Sequence, residues 1–265
     1  MTPRTLTCRV ISVEDLTPDV FRVQLEGRSE AVAHAPGQYL ELLLDDGTWV
    51  PFSIANAYRG DGTIELHIQH WPERANSQRL RELIQRSQRL TLRMPSGECI
   101  LDEASERPLL MIAAGTGFAQ MKALLEAAFS ANREQPVSLW WAVKERRDLY
   151  LESLAREWAE AHPNFTFHAV SETPLDDDFA GPRVHVHLGR IDQALAATLT
   201  DVSGYDVYLS GSPGMVYACI DTLTPRGLDP TRVRSDVFAY APRESMVASD
   251  GTGKEGDSAS PESRS

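Results

Sequence analysis

Hydrophobic and polar positions alternate through the N-terminal part of the chain. Phe21, Val23 and Leu25 are interleaved with Arg22, Gln24 and Glu26, and Ile64, Leu66 and Ile68 with Glu65, His67 and Gln69. A period of two puts the apolar set on one face of a half-buried strand. Turn sequences at Asp45-Asp46-Gly47 and Gly60-Asp61-Gly62 punctuate the pattern, which predicts short antiparallel strands in a barrel or sandwich. One stretch departs from the period. Leu80, Leu83 and Ile84 recur at helical spacing behind Asn76 or Ser77 as candidate N-caps, so one helix is expected to close an end of the barrel.

After Asp102-Glu103-Ala104-Ser105-Glu106 the pattern changes. Continuous apolar runs at 109–113, 137–143, 165–170 and 205–210 are separated by helical stretches near 119–131, 148–161 and 191–199. A fourth helix near 213–224 precedes a last strand around 235–240. Apolar strands alternating with helices predict a parallel sheet covered on both faces. The expected organisation is therefore a β domain over 1–103, an α/β domain over 104–241 and a tail over 242–265. The tail is Ser, Gly, Glu and Asp with hardly any large apolar residue, too little to offset the entropy of ordering, and is expected to be disordered. Within it, Gly251-Thr252-Gly253-Lys254 echoes a phosphate loop without a strand before it or a helix after it.

A chain of 265 residues with 42% hydrophobic content suits two domains of ordinary size. Its formal net charge of −12 would repel polyanions, which argues against nucleic acid or an anionic membrane as partner. No apolar run approaches the roughly 20 residues of a membrane-spanning helix, and Met1-Thr2-Pro3-Arg4 opens no signal segment, so a cytoplasmic location is expected, with a monomer as the default. Cys8, Cys99 and Cys219 are too far apart for a disulfide framework, a zinc ribbon or an iron–sulfur site and read as buried thiols. Any electron carrier bound here is organic, and no metal is expected.

Two segments carry ligand chemistry. The apolar run ending in Ala114 passes into Gly115-Thr116-Gly117 and then a helix; glycines let the backbone turn tightly against a ligand, and free helix N-terminal amides favour a phosphate. Gln120 stands where a dinucleotide fingerprint would place its last glycine, and the segment alone fits equally a turn that needs small residues. The second, Ser210-Gly211-Ser212-Pro213-Gly214-Met215, is another strand end feeding a helix. Two such loops on the carboxyl edge of one parallel sheet point to a nucleotide. In the barrel, Pro36-Gly37-Gln38-Tyr39 and Pro51-Phe52-Ser53-Ile54 offer a hydroxyl and main-chain groups to a heterocycle, although Phe52 as core and Ser53 as an ordinary strand residue fit as well.

In their order, Pro36-Gly37-Gln38-Tyr39, Pro51-Phe52-Ser53, Gly115-Thr116-Gly117 and Gly211-Ser212-Pro213-Gly214-Met215 resemble the ferredoxin–NADP reductase superfamily. The likeness extends over about 5–241 and is nearest to bacterial NAD(P)H:flavin oxidoreductases, down to the terminal Asp236-Val237-Phe238-Ala239-Tyr240. It implies a Greek-key β-barrel with one capping helix that binds a flavin, followed by an α/β domain that binds NADH or NADPH. By that resemblance Pro51, Phe52, Ser53 and Ile54 hold the isoalloxazine, with the Ser53 hydroxyl near N5 as the catalytic group. Gly115, Thr116 and Gly117 border the two rings, and Gly211, Ser212, Pro213 and Met215 hold the pyridine nucleotide. Phe238 and Tyr240, expected on the last strand, lie near the flavin or serve as core aromatics.

Members that keep FAD tightly carry Arg two residues before the aromatic of their R-x-Y-S motif, where this chain has Val50. Losing a bidentate phosphate partner suits a loosely bound flavin, FMN, riboflavin or FAD, that enters, is reduced and leaves. A flavin-dependent monooxygenase or a luciferase would consume it. Two other readings stand beside this one: an electron-transfer subunit with resident FAD that feeds a ferredoxin, oxygenase or dehydrogenase, and a non-catalytic flavin or nucleotide sensor. After the run at 137–143, Arg146 or Arg147 could meet a 2′-phosphate and Glu145 a 2′-hydroxyl, which points to use of both nucleotides. His67 and His70 read as exposed strand histidines, and Glu152, Arg156 and Glu157 as a solvated helix face.

Overall fold

The structure is a computed structural model and describes residues 2–176 and 178–243. Strands β1 (Arg4–Thr17), β2 (Val20–Glu26), β3 (Tyr39–Leu43), β4 (Trp49–Ser53), β5 (Thr63–Gln69) and β6 (Arg89–Ser96) form one sheet in the order β4-β3-β6-β1-β2-β5. All its neighbours run antiparallel. The two edges meet where the Ala55 N–H donates to the Glu65 carbonyl at 2.7 Å and the Glu65 N–H to Asn56 Oδ1 at 2.7 Å, which closes the sheet into a barrel. The alternating residues of β2 and β5 point inward and pack with Leu40, Leu42, Leu90 and Leu92. β1 is long because it pairs with β2 on one side and β6 on the other, with irregularities in its pairing to β2 at Val10/Ser12 and Asp15/Thr17.

Helix α1 (Ala75–Arg86) follows β5 and buries Leu80, Leu83 and Ile84 against this core, as the helical spacing predicts. Its start differs. Arg74 occupies the N-cap without a side-chain cap, and the Ser77 hydroxyl instead accepts the Trp71 N–H at 2.8 Å.

Strands β7 (Leu109–Ala114), β8 (Val137–Val143), β9 (Phe165–Ser171), β10 (Val184–Leu188), β11 (Asp206–Ser210) and β12 (Val233–Arg234) form a parallel sheet in the order β10-β9-β8-β7-β11-β12. Met111, Leu139, Trp141 and Phe167 face one core layer with α2 (Phe118–Ser130) and α3 (Glu152–Ala161). Leu110, Ile112, Trp140 and Leu209 face the other, with α4 (Ile191–Thr198) and α5 (Pro213–Leu223). Burial on both faces is why each strand reads as a continuous apolar run. The strand order reverses between β7 and β11.

The expected last strand around 235–240 is not a strand. β12 is limited to Val233–Arg234, and Val237–Tyr240 forms one helical turn, α6. Burial of Ser235 and Val237 beside half-buried Asp236 and Phe238 imitates a period of two, but the Tyr217 hydroxyl donates to the Ala241 carbonyl at 2.6 Å and draws the chain back over α5. Helix α3 starts at Glu152 rather than 148 because Leu149 and Tyr150 turn into the core. The first residues of the expected disordered tail are placed: Arg243 bonds Asp221 at 2.6 and 3.0 Å and lies over the Tyr217 ring. Residues 244–265, including Gly251 to Lys254, lie outside the described residues. Among the described residues no helix is long and apolar enough to cross a membrane, and no three His, Cys, Asp or Glu side chains are arranged to hold a metal.

Candidate active site

The carboxyl ends of β7 and β11 stand side by side at the reversal in strand order, where open α/β sheets form their ligand crevice. Each carries one of the glycine loops singled out in the sequence, and the loops interlock. A Cβ on Gly117 would come within 3.0 Å of the Ser210 carbonyl, and one on Gly211 would meet Met215 and Ala114. Gly115 is different: it sits at φ +52° with open space where a Cβ would stand, and its carbonyl accepts from Trp141 Nε1 at 3.0 Å. The Ser212 hydroxyl caps α5 by accepting the Met215 N–H at 3.3 Å, with Pro213 in the first turn.

A cleft of about 790 Å³ opens in front of these ends. Gly115, Thr116, Ser212, Gly214 and Met215 line it from the α/β side, and Asp19, Val20, Gln69 and Trp71 from the barrel. Its polar end carries Lys144, Glu145 and Arg147 after β8 and Arg190 and Asp192 at the start of α4. Arg147 bonds Glu145 at 2.9 Å and Arg190 bonds Asp192 at 3.0 Å. Of the two arginines weighed for a 2′-phosphate, Arg146 is turned away: Glu152 holds it at 3.2 Å, Asp176 bonds it, and it lies over Phe179. Glu152 therefore belongs to an ion-pair cluster with Arg146 and Arg156 rather than to a freely solvated face.

The barrel segment is separate from this cleft. Ser53 pairs in register with Tyr39, and Phe52 with the buried Leu40, so Pro51, Ser53 and Tyr39 share the outer face while Phe52 packs on the barrel core. Ile54 is fully buried and its N–H donates to the Gln38 carbonyl at 3.0 Å, leaving its carbonyl as the group it can offer a ligand. Neither Pro51, Phe52, Ser53 and Ile54 nor Phe238 lines the cleft; Gly117, Gly211 and Pro213 adjoin residues that do. Phe238 sits in α6 with its ring 6.2 Å from that of Tyr217, and Tyr240 is 65% exposed.

The Pro36-Gly37-Gln38-Tyr39 motif is a scaffold for Tyr39. Gly37 has φ +94° and a Cβ there would strike the Cys99 carbonyl, while Gln38 accepts the Ala35 N–H at 2.8 Å and donates to the Gly97 carbonyl at 3.2 Å. Gln120 Nε2 donates to the Gly37 carbonyl at 2.6 Å and to Asp236 Oδ2 at 2.7 Å. Gln120, in the place of a fingerprint glycine, thus ties the two halves together. Burial raises the Asp236 carboxyl above its ordinary value against the pull of that hydrogen bond.

His67 is not an exposed strand residue. Its side chain is completely buried: ionised Glu65 accepts from Nε2 at 2.7 Å, so Nδ1 accepts the Tyr150 hydroxyl at 3.1 Å. Burial keeps the imidazole below its usual range, against the opposing effect of Glu65. Burial would lift Glu65, but the hydrogen bond from His67 and the charge of Lys122 hold it at about 2. Tyr150, Trp71, Gln69, Asp19 and Lys122 were not singled out from sequence; they matter because the second domain covers this face of the barrel.

The residues present suit two organic cofactors. The cleft ends at the N-terminal amides of α5, where Gly214 leaves open space for a phosphate to approach, and Tyr39 with Ser53 gives an aromatic face beside a hydroxyl for a heterocycle. Comparison with known proteins agrees. Residues 7–100 match the model of an oxidoreductase FAD-binding domain and residues 111–221 that of an oxidoreductase NAD-binding domain. The chain is 32% identical over 238 residues to reductase component 2 of terephthalate 1,2-dioxygenase from a Comamonas species, covering 89% of this chain and 69% of that protein. It is 29% identical over 243 residues to the NAD(P)H-flavin reductase of Vibrio harveyi, covering 89% of this chain and 99% of that protein. Among solved structures, an Amycolatopsis cytochrome P450 reductase superposes with a TM-score of 0.74 at 26% identity, over 88% of this chain and 69% of that one.

The fold and the cleft define a two-domain flavin- and nucleotide-binding oxidoreductase. The chain belongs to the ferredoxin–NADP reductase superfamily, near its flavin reductases, and is an NAD(P)H-dependent oxidoreductase.

Proposed function

We propose that the protein is an NAD(P)H:flavin oxidoreductase that treats FMN, riboflavin or FAD as a diffusible substrate. The absence of a guanidinium at position 50 carries this reading. Val50, at the position where tight FAD binders place a guanidinium, is paired with Leu42 in the β3–β4 ladder. Across the sheet, Arg93 is bonded to Glu41 at 2.7 Å and stacked over Trp49. Without a guanidinium at position 50, a flavin phosphate lacks the bidentate partner that tight binders place there. The alignment spans 99% of that flavin reductase, so nearly the whole of such a chain has a counterpart here.

When bound, NAD(P)H supplies a hydride and the flavin an acceptor ring. The protein's share is orientation: the Ser53 hydroxyl would face the edge of a flavin ring bound on the barrel, and the Gly115 to Gly117 turn would let the backbone approach both rings. The capped start of α5 receives the nucleotide, and Trp71 and Tyr150 narrow the cleft against water. No acid–base pair is required for direct transfer. Reduced flavin then leaves for a flavin-dependent monooxygenase or a luciferase, and the protein acts as a cytoplasmic monomer.

The reductase components of dioxygenases, at 30% and 32% identity, favour a second reading, an electron-transfer subunit with resident FAD. Equilibrium titration with oxidised riboflavin, FMN and FAD separates the two. Similar micromolar dissociation constants for all three are expected; FAD held orders of magnitude more tightly than riboflavin would overturn the diffusible-substrate reading.

A further inference from the structure

Helix α2 begins immediately after the Gly115 to Gly117 turn, and three of its side chains reach into the barrel main chain. Besides Gln120 on the Gly37 carbonyl, Lys122 Nζ donates to the Ala55 carbonyl at 3.0 Å and Glu126 Oε2 accepts the Ala57 N–H at 3.1 Å. Lys122 and Glu126, one helical turn apart and bonded to each other at 2.7 Å, thus clamp the backbone that continues from Ser53 and Ile54.

The clamp is buried and fully partnered. The Lys122 side chain is 7% exposed and also meets Glu65 at 3.2 Å, and Glu65 accepts the hydrogen bond of His67 Nε2, whose ring leads on to Tyr150 at the wall of the cleft. Arg59, 3.4 Å from Glu126, adds the second positive charge that balances the two carboxylates. Taking such a cluster out of water costs about as much as its internal attraction returns, so it adds little net stability over an apolar contact. Its ammonium nonetheless joins a main-chain carbonyl two residues beyond Ser53 to a helix that begins where the glycine loop ends.

We propose that Lys122 is a positioning residue that sets the Gly115 to Gly117 turn against the Ser53 segment and so aligns hydride donor with acceptor. This rests on the assignment of those two segments to nicotinamide and flavin, and is independent of whether the flavin leaves. Lys122 does not line the cleft, so nucleotide affinity should be untouched while transfer suffers; displacements near 1 Å cost about 100-fold in rate.

The test is single-turnover bleaching of protein-bound FMN by NADH and by its 4-deuterated form, with nucleotide affinity taken from the concentration dependence. Lys122→Met is expected to bleach at least tenfold more slowly with a full deuterium isotope effect and nucleotide affinity within about twofold of the parent, and Lys122→Arg to recover most of the rate. Because Lys122→Met leaves carboxylates buried without their cation, the double variant K122M/E126Q, which removes one charge of each sign, is measured beside it and checked by its melting curve. A folded double variant that bleaches at the parental rate overturns the proposal, and so does a slowing matched by an equal loss of nucleotide affinity. Bleaching is read on bound flavin, so a failure here is distinct from failure of the diffusible-substrate reading, which is judged by flavin retention.

Discussion

Gly117 rests against the Ser210 carbonyl at a separation that excludes any side chain, and this contact joins the two glycine loops at the carboxyl edge of the sheet. Gly117→Ala must push the loops apart, and we expect kcat to fall by about 100-fold together with a lower melting temperature. Gly214, in the first turn of α5, has open space around it. Gly214→Ala should hold or gain about 0.5 kcal/mol of stability while raising KM for the nucleotide, because the added methyl occupies the space a phosphate would use. Kinetics and melting curves of the two variants, run side by side, check both statements.

Acid should destabilise the fold through identifiable groups. His168 and His187 share a hydrogen bond of 3.0 Å on neighbouring strands β9 and β10. Burial, then the neighbouring imidazoles His185 and His187, hold His168 down at about 3, and burial, then His185, lowers His187. A group whose folded value lies below its unfolded value of about 6.5 takes up its proton more readily in the unfolded chain, so stability falls as pH drops below that value. Glu65, held at about 2, adds a loss that begins as the pH falls through the ordinary carboxylate value near 4.5. Each such proton contributes a slope of about 1.4 kcal/mol per pH unit. Chemical denaturation should give nearly constant stability between about pH 7 and 8 and a steady decline below about 6.5, and His168→Gln should flatten the decline.

Nucleotide preference is expected to be weak, because Glu145 occupies the guanidinium of Arg147 at the polar end of the cleft. The parent should use NADH and NADPH with specificity constants within about tenfold of each other. Glu145→Gln frees Arg147 and removes a negative charge, and should raise the NADPH/NADH ratio about fivefold, the scale of one exposed ion pair. An unchanged ratio would place the 2′ position elsewhere in the cleft.

Much of this architecture is legible in the sequence, and the exceptions share a cause. The strands of the parallel sheet announce themselves because both faces are buried, and β2 and β5 because one face is. His67 and Lys122 read as polar surface in one dimension, since the period of β5 and the i,i+4 spacing of Lys122 and Glu126 are those of solvated faces. They are buried because one domain covers the other, which no local period reports. The final strand fails differently: a buried–half-buried alternation over 235–238 arises from a helical turn held by Tyr217, and the number of residues is too small to separate the two periods. The glycine loops were legible as a pair, whereas the pairing of Ser53 with Tyr39, which defines the outer barrel face, needed the register of β3 and β4.

Placing a guanidinium at position 50, two residues before Phe52 and on the same face of β4, should change which flavins are preferred. Val50→Arg is expected to tighten FMN and FAD by about tenfold, the scale of a hydrogen bond to a charged group, and to leave riboflavin unaffected because it has no phosphate. Equal tightening of all three flavins would mean that the side chain acts on the ring or on the barrel instead.

The most direct test of flavin as a diffusible substrate is steady-state oxidation of NADH and NADPH by exhaustively desalted protein, with its visible spectrum recorded first. Colourless protein that oxidises nucleotide only after riboflavin, FMN or FAD is added, and saturates with that flavin, is the predicted result. Yellow protein that keeps its flavin through desalting and is indifferent to added flavin, yet is reduced by nucleotide, would contradict it and identify an electron-transfer subunit.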